Sequence, residues 1–477
     1  MFGYDPSAVI LCSDSFWCSI THPILASLIV FFTVLTGFAY TTLLERKFLA
    51  FFQQRSGPNR VGPGGFLQPA ADGLKLIFKE DIIPSEAYKV VYYIAPILKT
   101  VPYIILFAVL PWGPMVNIPW FDGNWYRVLL GIADVNVGIL WLLAISSIAT
   151  YGVVLAGWSS NNKYAMMGGL RASAQMISYE LSLGLMIAVP VMIVGSMSIQ
   201  DIIQYQLDGP PVLGWFIFQN PLAAGILAIA LVAEVSRAPF DLPEAEQELT
   251  QGFLTEYSGM KFAIMMMAEY LGMIAISMIF VSLYLGGWGI GGGIIESMPL
   301  LAPLVMIGKI IAVLLLQIWV RATLPRFRYD RLMSFGWKVL LPLAFVAVAW
   351  TGISVVVGET TGSPIAYGIV SSIFFVLLVI GAFLIFREDS ERRVVEPSTL
   401  ADDPMVTGER KGLVPLLVDI LGVPIYLLFQ MWEKIGASIT SARRRTAEEL
   451  RDFSSTYSAT DDDNTDEKPP AEAASGD

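Results

Sequence analysis

The sequence predicts an all-α, polytopic membrane protein of nine transmembrane helices, with its N-terminus outside and its C-terminus in the cytoplasm. Three observations lead there. Apolar residues fill 55% of the 477 positions and charged residues 15%, with a mean hydropathy of +0.62. That composition excludes an ordinary soluble domain. Nine apolar runs, at 23–44, 90–112, 128–158, 174–199, 212–235, 262–290, 297–320, 336–357 and 364–386, each reach the length of about 20 residues that a helix needs to cross a bilayer core. Finally, Lys and Arg collect on one side of those runs, the side that stays in the cytoplasm.

The first run has no basic segment before it and is too long for a signal-peptide core, so it reads as a helix. Cys12 and Cys18 precede it on the oxidising side, where they could pair. With His22 the only histidine, two cysteines fall short of the four thiolates of an iron–sulfur cluster. The loop 45–89 then carries Arg46, Lys47, Arg55, Arg60, Lys75, Lys79 and Lys89. Gly57-Pro58 and Gly62-Pro63-Gly64-Gly65 impose tight turns. After Pro69, Ala70, Ala71, Leu74, Ile77 and Phe78 share one helical face and Asp72, Lys75 and Lys79 another, as in an interfacial amphipathic helix. A rigid basic loop ending on a lipid-facing helix suggests a mouth that opens sideways to lipid. Later inner loops add Lys163 and Arg171, Arg237 and Lys261, then Arg321, Arg326, Arg328, Arg331 and Lys338, whereas the outer loops hold only Arg127.

Residues 1–387 thus form the membrane domain. Residues 388–445 are read as a cytoplasmic extension whose apolar stretch 412–432, broken by Pro415, Asp419 and Pro424, packs at the interface or on a partner. Residues 446–477 hold ten acids and two bases, −8 of the net −11, and read as a disordered acidic tail.

Six ionisable residues fall inside the runs: Lys99, Asp134, Glu180, Glu234, Glu269 and Lys309. Each costs about 2.5–3.5 kcal/mol or more at mid-membrane, so a passive anchor would not carry them. The loop Ala233–Gly259 adds Asp241, Glu244, Glu246, Glu248 and Glu256. Asp241, Glu244 and Glu248 would share a helical face, where like charges raise one another's pKa and titrate as a set. With Glu234 and Glu269 in the flanking runs, they form a line of acids from loop into membrane, as a proton path requires.

Four loop segments, ERKFLAFFQQRSGPNRVGPGGFLQPAADGLKLIFKE, GWSSNNKYAMMGGLRASAQMISYE, AEVSRAPFDLPEAEQELTQGFLTEYSG (with the following Ala268-Glu269-Tyr270) and RATLPRFRYD, together resemble the H subunit of the proton-pumping NADH:quinone oxidoreductase, respiratory complex I. Ser236 and Thr250 depart from that family's usual Asn and Val. The resemblance implies a bacterial plasma-membrane protein with no redox centre or metal of its own, which forms a quinone channel and begins the proton path. FMN and iron–sulfur clusters would lie only in partner subunits. Those partners would be hydrophilic quinone-site and iron–sulfur subunits, small membrane subunits and antiporter-like subunits, with lipid around them and no nucleic acid. It places Arg46, Arg55, Phe253, Tyr257, Arg321 and Arg328 along the channel for ubiquinone or menaquinone. It places Tyr179, Glu180, Glu234, Asp241, Glu244, Glu246, Glu248, Glu256, Glu269 and Tyr270 on the protonatable chain. Two other readings share some features. The anchor subunit of a membrane-bound hydrogenase or formate hydrogenlyase has a similar first loop, and a secondary ion transporter would also bury charges but should show internal repeats.

Overall fold

A computed structural model describes residues 10–12, 15–119, 124–210, 212–242, 250–290, 298–361, 367–368, 370–373 and 376. Among these residues the chain is mainly helical. Seven helical segments are long and apolar enough to cross a membrane: α1 (Phe16–Phe52), α3 (Lys89–Leu106), α4 (Gly138–Ser159), α5 (Lys163–Val194), α9 (Gly259–Tyr284), α10 (Ala302–Thr323), and a continuous stretch of α11 (Tyr329–Phe335), a π-turn and α12 (Leu341–Thr361). Shorter helices are α2 (Gln68–Ile77), α6 (Ile199–Asp208), α7 (Phe216–Gln219) and α8 (Pro221–Glu234).

Seven stand where nine runs were predicted, for two reasons. The fifth run is divided. Asn220 ends α7 and caps α8, its Oδ1 accepting from the Ala223 N–H at 3.2 Å, which leaves α8 only 14 residues long. The ninth run, 364–386, lies mostly outside the described residues, as do 388–445 with its 412–432 segment, and the tail 446–477.

The third run also begins differently. Its first residues form strand β3 (Trp125–Leu129), paired antiparallel with β2 (Met115–Pro119) and parallel with β1 (Ile10–Leu11), in the order β1-β3-β2. Apolar content alone cannot separate such a strand from the start of a helix. Asp134 therefore sits in an exposed loop, not within a span. Cys12 and Cys18 form a disulfide between β1 and α1, and Cys18 packs with Tyr126 and Val128 of β3.

α3 packs on α4, α4 on α5, and α5 on α8 and α12, while α9 contacts α3, α10 and α1. In α9 78% of the most apolar window is buried, against 11% in α1. α9 is thus the axis and α1 the outer edge. Two glycines set the close approaches that build the interior. A Cβ on Gly152 of α4 would lie 2.5 Å from the Lys99 nitrogen, so α3 and α4 touch backbone to backbone there. One on Gly168 of α5 would lie 2.6 Å from the Gly252 Cα, which brings the turn Gly252–Leu254 against α5.

Both ends of α9 are tied by cations. Lys309 Nζ donates to the carbonyls of Leu285, Gly287 and Gly289 at 2.6, 2.9 and 2.5 Å, and lies 4.2 Å over Trp215. It thereby gathers the carbonyls of the turn that follows α9, from the C-cap Leu285 to Gly289. At the other end Lys261 pairs with Asp81 at 2.8 Å and lies 4.8 Å from the rings of Tyr92 and Tyr93.

Candidate functional site

A knot of buried charge forms where α1, α9 and α10 meet the loop after α8. Glu45, about two turns before the end of α1, is 3% exposed. Its Oε1 receives Arg321 of α10 and lies 3.5 Å from Arg237 Nη1. Arg237 turns its Nε to Glu269 of α9 at 2.5 Å, an ion pair whose atoms are out of line for a good hydrogen bond. The same guanidinium lies 4.4 Å over the ring of Tyr270. Planar, permanently charged guanidinium suits this shared, stacked position better than ammonium would. A little further along the same loop, Asp241 pairs with Arg326 at 2.8 Å.

Beside the knot is a small cavity with room for about one water molecule. Lys99, Tyr103, Ser236, Phe253, Glu234 and Glu269 line it. Glu234, the last residue of α8, is 4% exposed, and among the described residues neither of its carboxyl oxygens has a hydrogen-bond partner. A bare buried carboxylate is costly, and a water, a cation or a proton relieves that cost. Lys99 lies 4.5 Å over the Phe253 ring at the same place. Glu180 of α5 is near enough to Glu234 for the charge of one to act on the other, and the Ser147 hydroxyl donates to Glu180. Among the described residues Arg237 alone bridges Glu269 and Glu45, with Arg321 beside Glu45, and Glu234 shares the cavity with Glu269, so these acids form one polar region through the helix packing.

The other expected site residues divide into three groups. Tyr179 is buried, with its hydroxyl 3.1 Å from the Leu332 carbonyl and its ring against Phe240. Tyr257 stacks on Tyr92 at 4.3 Å and bonds to the Tyr92 carbonyl. Burial pushes its phenol up to about 12, despite a hydrogen bond with Ser159, so it stays protonated. Glu256 accepts from Asn162 at 2.6 Å and joins the cap of α5. A second group lies at the surface, apart from the cavity. Arg46 bridges to Asp72 of α2 at 2.6 Å, Arg55 donates to Gln53 at 2.7 Å, and Arg328 meets Asp330 at 3.2 Å with both side chains exposed. The third group, Glu244, Glu246 and Glu248, lies outside the described residues.

Glu45 and Arg237 were not among the site residues expected from sequence. The signal was present: Glu45 ends an apolar run beside two bases, and Arg237 opens the acidic loop. No group of three or more His, Cys, Asp or Glu residues placed to hold a metal occurs among the described residues.

Fold and site together define a multi-pass helical membrane protein built around buried acids and arginines. Residues 25–352 match the family model described as NADH dehydrogenase. The chain is 48% identical over 334 residues to the NADH-quinone oxidoreductase H subunit, form 1, of Geobacter sulfurreducens, a match covering 69% of this chain and 93% of that one. It is 47% identical over 312 residues to the H subunit of the same oxidoreductase in Protochlamydia amoebophila, covering 65% and 90%. Against the H subunit of Thermomicrobium roseum it is 45% identical over 330 residues, covering 68% and 93%. The chain belongs to the family of NADH-quinone oxidoreductase H subunits.

Proposed function

We propose that this chain is the membrane subunit of a bacterial NADH:quinone oxidoreductase that admits quinone from the bilayer and begins the proton-translocation path. The observation that carries the reading is the polar region in which Glu234 and Glu269 share one buried cavity and Arg237 joins Glu269 to Glu45, with Arg321 beside Glu45. Quinone reduction adds negative charge near such a region. Added negative charge draws protons onto neighbouring carboxyls. Electron transfer can therefore drive proton uptake with no redox group in this chain.

In this proposal the chain crosses the plasma membrane nine times, with its N-terminus outside. Arg46, Arg55, Arg321 and Arg328 brace the quinone channel, and Phe253 and Tyr257 offer aromatic surface to ring or tail. Tyr179, Glu180, Glu234, Asp241, Glu244, Glu246, Glu248, Glu256, Glu269 and Tyr270 form the proton chain, to which Glu45 and Arg237 are now added. The quinone is ubiquinone or menaquinone. FMN and iron–sulfur clusters belong to the hydrophilic partner subunits, and the proton path continues into small and antiporter-like membrane subunits.

The test is Glu234→Gln and Glu269→Gln in the assembled complex. Each should lower quinone reduction and the membrane potential in parallel by about tenfold or more, a barrier change of ~1.4 kcal/mol. NADH oxidation by ferricyanide, which bypasses this chain, should survive. Unchanged rate and potential in the double variant would refute the proton-path assignment.

A further inference from the structure

Helix α2 is attached on one side, at its middle and just past its end, and bare on the other. Midway along it, Asp72 is bridged by Arg46 of α1. Just past its end, Asp81 pairs with Lys261, and Ser258 Oγ receives the Ile82 N–H at 2.9 Å. The backbone carbonyls of Leu76, Lys79 and Glu80 face Gly259 at the start of α9. No residue of α2 is buried, and Leu74, Ile77 and Phe78 are 56%, 55% and 83% exposed.

At 100° per residue these three side chains form one stripe. Lys75 lies in the last turn beside that stripe, and Lys79 follows just past the helix end. Both are exposed, and neither has an ion pair among the described residues. The acid on their own face, Asp72, already belongs to Arg46. Exposed Phe66 and Leu67 extend the apolar surface at the N-terminal end of the helix.

We propose that α2 is a binding site for an anionic phospholipid of the inner leaflet, with the phosphate held between Lys75 and Lys79 and the acyl chains over Leu74, Ile77 and Phe78. The proposal rests on the membrane orientation proposed above. An apolar stripe with unpaired lysines along one edge matches a lipid that is greasy below its headgroup and negative at it. A zwitterionic lipid also offers a phosphate, but its own ammonium offsets that charge, so two lysines favour a lipid of net negative charge. A protein partner covering the stripe would have to exclude lipid from a helix attached to the end of a membrane span. Because Arg46 joins α2 to α1, a lipid seated here also holds the wall of the proposed mouth.

The experiment uses the whole complex in nanodiscs of phosphatidylcholine doped with spin-labelled phosphatidylglycerol or spin-labelled phosphatidylcholine, at rest. The native complex should retain labelled phosphatidylglycerol in preference to labelled phosphatidylcholine. Lys75→Gln and Lys79→Gln should each cut that preference by about fivefold, the factor that about 1 kcal/mol per basic residue supplies. Lys89→Gln, a change of the same charge off α2, should leave it intact. An unchanged preference in Lys75→Gln/Lys79→Gln, or an equal loss in Lys89→Gln, would overturn the site. Should the double variant not assemble, the single Lys79→Gln change, just beyond the helix end, carries the same test. Label binding needs no turnover, so it separates this site from the proton-path reading: the lipid preference can fail while Glu234→Gln still blocks turnover, and the reverse.

Discussion

Arg237 is the residue on which the buried charges balance. It stands between Glu45 and Glu269, which lie on different helices, and stacks on Tyr270. Replacing it with methionine keeps the bulk but leaves two buried acids facing each other with only Arg321 beside one of them. Breaking a buried pair in this way costs about 3–5 kcal/mol. Arg237→Met should therefore lower the thermal stability and yield of the complex. Adding Glu269→Gln should restore part of the loss, because the second change removes the stranded charge. A double variant as unstable as the sum of the singles would mean that the two side chains do not act on each other. The six intramembrane charges predicted from sequence sort by the same test of what each touches. Lys309 caps carbonyls and Asp134 lies in a loop, while Lys99, Glu180, Glu234 and Glu269 remain as the interior set.

At the scale of elements, position depends on contacts that tolerate no side chain. Gly168 lets the turn at Gly252 lie against α5, which sets Phe253 beside Lys99 and the cavity. Gly168→Ala adds one methyl where backbone already stands. Overpacking of this kind costs about 1–3 kcal/mol. The expected outcome is a complex that assembles poorly or loses quinone reduction while ferricyanide reduction per assembled complex holds. Full quinone activity in Gly168→Ala would show that the turn is not fixed by this contact.

Most helices were legible from the apolar runs, and the caps at Asn162 and Ser198 follow ordinary preferences. What local pattern could not reveal was pairing across distance. Glu45 and Arg321 are 276 positions apart, and nothing near either one names the other. For the same reason sequence groups Arg321 with Arg328 by their shared loop, yet the two side chains go to different places. The fifth run gave no sign of its break: Phe216–Gln219 is a separate short helix, and Asn220 caps the helix that follows.

For the molecule as a whole, the acidic end 446–477 carries −8 in 32 residues and lies outside the residues matched by the family model, 25–352. Deleting 446–477 should change neither quinone reduction nor membrane potential by more than about twofold, within the half kcal/mol typical of surface changes. A truncated complex that assembles fully yet does not turn over would assign the tail a part in the reaction.

The two lysines at the ends of α9 bear on how a distant event could be felt along this chain. One common means is a piston, in which a helix slides past its neighbours by up to a turn. α9 is poorly suited to that motion, because Lys309 holds three carbonyls at one end while Lys261 is tied to Asp81 at the other. Sliding would break both attachments at once and drag Glu269 away from Arg237. A helix riveted at both ends is a frame. Whatever passes along it must travel as rearranged side chains, waters and protons.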